Sequence, residues 1–170
     1  MIKHAHWSPL EMVSACLEIN TTRDIAHQIV RHRSFSFQEF SQRYADPKEF
    51  GEQFVLREAR LQDHKNRQNS IGIDTESDLH YEWQMKQQKV IDVAKETYEW
   101  AIKAGIAKDQ ARVILPEGNT KTRLYMNGTL RSWVHYIELR GANGTQKEHM
   151  DIAHACAKVI AEIFPLMNDL

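Results

Sequence analysis

The chain has little cysteine, little proline and little glycine, no long apolar run and no excess of either charge. Two cysteines, Cys16 and Cys156, cannot make a disulfide framework; both sit in apolar runs and read as small core residues. Seven glycines and four prolines in 170 residues are too few for a collagen-like or disordered chain. No apolar stretch approaches the roughly 20 residues that span a bilayer. The segment Met1–Met12 has no apolar core of the kind a signal peptide needs, so a soluble, cytoplasmic chain is expected. With 22 Lys and Arg against 23 Asp and Glu, the net charge is −1. No global field then draws the protein to nucleic acid or to an anionic membrane, and an anion site has to come from local clustering of arginine. There is no Walker loop, no G-x-G-x-x-G and no G-x-S-x-G. Nine histidines invite a metal reading, but His149 and His154 are five apart, roughly 140° around a helix, and cannot share an ion on one face. No metal is expected.

What is present is ordinary globular material: 42% hydrophobic and 26% charged residues in a length that suits one domain spanning 1–170. Ser8-Pro9-Leu10-Glu11 has the form of a helix start with a capping box, and Leu10 to Ile19, apolar almost all round, reads as a buried helix. Thr22 can cap a second helix carrying Ile25, Ala26, Ile29 and Val30. Ser34 to Tyr44 alternates and reads as a short strand or extended loop. Residues 46–77 are polar and aperiodic, a long mobile loop region. The longest helix opens at Ser77 or Asp78, puts Val90, Ile91, Ala94, Tyr98, Ala101 and Ile102 on one face and ends at Gly105. A short helix over Lys108–Leu115 stops at Pro116. Thr120–Met126 has strand composition; Thr129–Leu139 and a last helix ending near Pro165 complete the chain. The fold class is α+β, mostly helical.

The most informative stretch is Arg31-His32-Arg33 through Tyr44, where three arginines and a histidine are interleaved with four aromatics and a single acid. Guanidiniums grip phosphates bidentately, and aromatic rings stack on ring systems. Arg112, Arg123, Arg131 and Arg140 form a second, scattered series; an arginine at a helix end ordinarily complements the last carbonyls.

These residues resemble a known family. Arg31-His32-Arg33, seven residues and then Ser41 is similar to the R-H-R-x7-S signature of the flavin-dependent thymidylate synthases, the ThyX family. The likeness extends to Glu39, Arg43 and Tyr44, to the run Ala111–Pro116, to the run Leu130–Arg140, and to His6-x-Ser8-Pro9-Leu10-Glu11 near the start. The resemblance implies helices packed around a small antiparallel sheet and a homotetramer with active sites at subunit interfaces. It implies FAD as cofactor, NADPH as reductant, methylenetetrahydrofolate as carbon donor and dUMP as substrate. FAD would be held by His6, Ser8, Arg31, His32, Arg33, Glu39, Thr129, Leu130, Arg131 and His135. The nucleotide would be held by Gln28, Arg31, Glu39, Phe40, Ser41, Gln42, Arg43, Arg112 and Arg140, with Arg140 the catalytic arginine near the uracil. Ser41 has no general base at fixed spacing and reads as a nucleotide hydrogen-bond donor, not a nucleophile.

The chain departs from the family pattern at several places. Met12 stands where many members have His; Gln38 and Thr129 stand where Asn is common, and His135 where some have Asn. Starting almost at the His6 block, it is expected to be a compact version, such as a virus might encode, acting then in the host cytoplasm. Two other readings stay open on sequence: a related flavin enzyme that hydroxymethylates a pyrimidine nucleotide, and a non-enzymatic nucleic-acid binder using the arginine–aromatic stretch. The net charge argues against the second.

Overall fold

The computed structural model describes residues 6–43 and 51–165. Tyr44 and the first residues of the 46–77 segment lie outside them. Three strands form an antiparallel sheet in the order β1-β5-β2: β1 is Ser14–Thr22, β2 is Ser36–Glu39 and β5 is Lys121–Thr129. β1 and β5 pair along their whole length, from Ser14 opposite Thr129 to Thr22 opposite Lys121. β2 adds to the other edge of β5, with Phe37 opposite Met126. Against the sheet lie α1 (Arg23–Ile29), α4 (Leu130–Gly141) and α5 (Lys147–Ala161). Between them they bury Ile25, Ile29, Leu124, Met126, Trp133 and Val134 completely. This is the α+β fold that the sequence predicts.

The expected helix over Leu10–Ile19 is instead a single 3-10 turn, Ser8–Glu11, followed by strand β1. The difference is one of period. Ala15, Leu17 and Ile19 alternate with Ser14, Cys16, Glu18 and Asn20, and only the first set faces the core. Cys16, read as a core residue, is therefore exposed, whereas Cys156 is buried, which pushes its thiol up to about 12 and leaves it unreactive. The helix-start signal at Ser8-Pro9 is real, but Ser8 lies inside the turn and Glu11 bonds Arg131 at 2.8 Å instead of closing a capping box.

Other elements fall close to their predicted places. α2 runs Asp78–Lys103 with Ser77 capping it by accepting from the His80 N–H. Ile91, Ala94, Tyr98 and Ala101 are buried as expected, but Val90 and Ile102 point outward. Gly105 ends it at φ +82°, with Ile106 N–H on Ala101 O at 2.9 Å and Gly105 N–H on Ile102 O at 3.1 Å. These are the two bonds of a Schellman cap. The predicted Lys108–Leu115 helix is a short α3, Lys108–Ala111, and a 3-10 turn to Ile114. Within 46–77 the described part holds a hairpin, β3 (Arg60–Gln62) on β4 (Ser70–Gly72), and a bridge from Phe54 to Thr120. Asp63 closes the hairpin loop by accepting from the Lys65 and Asn66 N–H groups and the Asn69 amide.

Candidate functional site

α1 stops at Ile29, and the chain turns so that His32 N–H bonds Ile29 O at 3.1 Å. Arg31 and Arg33 project into solvent, and His32 is half-buried. The His32 ring sets its edge on Tyr136 at 5.0 Å between centroids. Arg140, in the last turn of α4, donates its Nε to His32 Nε2 over 2.9 Å. Two blocks that lie 108 residues apart in sequence thus meet directly. Because Nε2 accepts, the imidazole proton sits on Nδ1. Burial, then Arg140 and Arg31, hold His32 below the ordinary histidine range, so the ring stays neutral. Among the described residues the other guanidinium N–H groups of Arg140 make no hydrogen bond. Neither Arg31 nor Arg33 has a carboxylate partner among the described residues.

Behind this pair runs a hydrogen-bonded chain that sequence reasoning missed. Tyr136 Oη meets His149 Nε2 at 3.1 Å, and His149 Nδ1 meets Gln28 Oε1 at 3.3 Å. Gln28 Nε2 donates to Gln146 Oε1 at 2.8 Å, and Gln146 Nε2 to Glu148 Oε2 at 3.0 Å. Glu148 Oε1 receives Arg60 at 2.6 Å and Arg57 at 3.1 Å. Burial raises the Glu148 carboxyl, but the Arg60 bond, its own N–H at the start of α5, Arg57 and Gln146 outweigh it and bring it down to about 2. His149 is fully buried, and burial, with Arg140, His32 and Arg31, lowers it to about 4. One signal was legible: His149 shares a helix face with Ala153, Cys156 and Ile160, a polar residue at a core position. Gln28, predicted for the nucleotide, is the only sequence-predicted member of this chain.

The other predicted residues group around the sheet and the start of α4. Glu39 accepts from Thr122 at 2.9 Å and Arg23 at 3.4 Å. Phe40 N–H bonds Arg123 O at 2.8 Å, carrying β2 on toward Ser41. Ser41 is half-buried and Arg43 exposed. Gln42 is buried, and its Nε2 donor has no acceptor among the described residues. Arg112 is half-buried in the 3-10 turn after α3. At the other end of α4, Trp7 lies 5.0 Å from the His135 ring, Arg131 pairs with Glu11, and Thr129 caps the helix by accepting from Ser132 N–H at 3.2 Å. His6 and Ser8 are exposed beside this group. Leu130 differs from its neighbours: its side chain is core and its N–H is bonded to Val13 O at 2.8 Å. The predicted residues thus meet in two clusters at the two ends of α4, while Glu39–Arg43 lie at the β2 end of the sheet and Arg112 lies apart in the turn after α3.

A cavity of about 690 Å³ includes Asn20, Thr22, Arg57, Lys121, Arg123 and Ile152 in its wall and none of the predicted residues. Its cations are already paired: Arg57 with Asp24 and Glu148, Lys121 with Glu52, Arg123 with Glu18, and Lys147 with Asp151. Paired guanidiniums have little left for a phosphate, so the Arg31–Arg33 surface beside Arg140, without a carboxylate partner among the described residues, is the better candidate.

Fold and site together define an α+β protein that gathers arginines and a neutral histidine at helix ends, where anionic, ring-bearing ligands can be held. Comparison with known proteins is specific. Residues 1–166 match the family Thy1, described as thymidylate synthase complementing protein. A flavin-dependent thymidylate synthase of Synechocystis is 51% identical over 164 residues, covering 96% of this chain and 74% of that protein. A probable flavin-dependent thymidylate synthase of Paramecium bursaria Chlorella virus 1 is 50% identical with the same coverage. The Thermus thermophilus enzyme of that name is 34% identical over 98% of this chain and 59% of its own. The chain belongs to the ThyX family of flavin-dependent thymidylate synthases.

Proposed function

We propose that the chain makes thymidylate by reductive methylation of dUMP, with methylenetetrahydrofolate as carbon donor and NADPH as reductant, through FAD. The observation that carries this reading is the direct bond between Arg140 and His32, which joins the two arginine-bearing blocks in one place. The residues fit phosphorylated, ring-bearing ligands. Arg31 and Arg33 offer exposed guanidinium forks, and Gln42 offers a buried amide donor that has no acceptor among the described residues.

In this reading FAD is held by Arg31, His32, Arg33 and Glu39 and by the α4 start, with His6, Ser8, Thr129, Leu130, Arg131 and His135. Its chemistry, when bound, is the redox step; the chain supplies position and field. Arg140 faces the pyrimidine. Its charge favours loss of the N3 proton, which raises electron density at the carbon to be alkylated. Gln28, Arg31, Phe40, Ser41, Gln42, Arg43 and Arg112 complete the nucleotide's contacts, and Ser41 donates a hydrogen bond without attacking.

The active sites are shared between copies of a homotetramer. Arg131 and Arg140 are nine residues apart on α4, about half a turn out of phase, so one ligand cannot reach both on the same helix. A ligand touching both kinds of cluster needs two subunits. α2 supplies apolar surface for such contacts, with Tyr81, Trp83, Met85, Val93 and Trp100 exposed along it. The reading places the protein in the cytoplasm, or in a host's; no helix among the described residues is long and apolar enough to cross a membrane.

Anaerobic incubation with dUMP, methylenetetrahydrofolate and NADPH tests the proposal. The product should gain one CH2 group, and the purified protein should be yellow. A gain of CH2O would make it a hydroxymethylase, and a colourless, inactive protein that binds nucleic acid would sink the enzyme reading.

A further inference from the structure

The chain of bonds behind Arg140 has a fixed direction. Arg57 and Arg60 can only donate, and the Glu148 carboxylate can only accept. Gln146 must therefore turn its Nε2 toward Glu148 and its Oε1 toward Gln28. That fixes Gln28 with Nε2 toward Gln146 and Oε1 toward His149, so His149 donates from Nδ1 and accepts from Tyr136 at Nε2. No amide in the series can flip without setting two like atoms face to face. Among the described residues Gln28 keeps a second N–H and a second carbonyl lone pair without a partner, and it is half-buried, within reach of a ligand.

We infer that His149 is a positioning residue for the nucleotide: its Nδ1–H is the second anchor that fixes the plane of the Gln28 amide, so that the free N–H of Gln28 meets a pyrimidine carbonyl. Gln146 alone holds the amide at one point, about which it can swing. Two points fix its plane. The full burial of His149, between the Tyr136 and His32 rings at 5.7 and 6.3 Å, keeps that anchor away from water. The inference rests on the reading of Gln28 as a nucleotide ligand.

A core histidine kept only for packing is replaceable by any side chain that fills its space. A positioning one is replaceable only by a group that donates from the place of Nδ1. Asparagine does this, since its Nδ2 is the same number of bonds from the backbone; leucine does not. The experiment is titration of dUMP into FAD-loaded wild type, His149→Leu, His149→Asn, Gln28→Leu and the Gln28→Leu/His149→Leu double variant. FAD affinity by flavin fluorescence and a thermal melt accompany each. His149→Leu should bind dUMP about tenfold more weakly, the scale of one hydrogen bond, with FAD affinity unchanged. His149→Asn should return to within about threefold of wild type, and the double variant should be no weaker than Gln28→Leu. Equal losses in the Leu and Asn variants, or losses that add in the double variant, would overturn the role. If Gln28→Leu keeps full dUMP affinity, Gln28 is not a nucleotide ligand, and the inference falls with that reading rather than by itself. Should His149→Leu not fold, His149→Phe takes its place in the same comparison.

Discussion

Arg140 concentrates more of the proposed chemistry than any other side chain. Its Nε donates to His32, which orients the guanidinium and, in the proposed reading, leaves the outer fork to the substrate. Lysine would keep the charge but could not hold His32 and a ligand in one plane, so Arg140→Lys is not a conservative change. Arg140→Ala should keep assembly and FAD but lose dUMP binding or turnover by at least about tenfold, roughly 1.4 kcal/mol in barrier. Steady-state methylation beside wild type checks this, and wild-type rates would remove Arg140 from catalysis. Ser41→Ala, measured in the same assay, should retain turnover; complete loss with dUMP still bound would point to a nucleophile. Arg33→Ala should weaken FAD, read by flavin occupancy after purification.

The buried groups behind Arg140 give a pH dependence with a definite sign. In the unfolded chain His149 takes up a proton near its ordinary 6.5, but folded it resists until about 4. Its contribution to stability is complete above about 6.5 and is lost as pH falls to about 4, on the order of 3 kcal/mol in all. Glu148, ordinary at 4.5 and about 2 when folded, adds a second loss between those values. Urea unfolding from pH 8 down to 4 should show stability falling below about 6.5, and His149→Asn should flatten that slope. An equal slope in the variant would assign the loss to other groups.

At the scale of elements, the junction of β5 and α4 leaves no room for an added side chain. A Cβ at Gly128 would sit 2.4 Å from the Phe35 ring, which itself packs on Trp133 and Tyr136. Glycine is there for close approach of a ring to a strand. Gly128→Ala should cost about 1–3 kcal/mol as overpacking, measured by urea denaturation. Loss within experimental error would mean that Phe35 moves aside freely. The same junction explains what could be read locally. Thr129 as a helix start and Gly105 as a helix end were legible because caps depend on one or two residues. β1 was not, because a nine-residue stretch with apolar residues on alternate positions and a proline-led turn before it also satisfies a buried helix, and only pairing with β5 decides.

At the scale of the molecule, exposed apolar surface bears on how copies assemble. α2 carries Trp83 and Trp100 at 44% and 62% exposure, a large apolar load for a helix facing water. If the sites are shared between subunits as proposed, Trp100→Glu should shift the assembly to smaller species in light scattering and reduce flavin absorbance. A wild-type mass near 19.9 kDa at micromolar concentration, with activity retained, would overturn the tetramer.

The amino-acid sequence determined the family, the arginine blocks and most helix ends. These depend on residue identity at short spacing, and side-chain chemistry is fixed before the chain folds. Tertiary structure alone decided that Ser14–Thr22 is a strand and that Cys16 is exposed, because the face a residue presents follows from its pairing partner. It alone decided that Arg140 rests on His32, and that His149 and Gln146 stand behind Gln28. Those contacts join residues more than a hundred positions apart, where local pattern carries no information and only packing of α1, α4 and α5 against one sheet brings the groups within bonding distance.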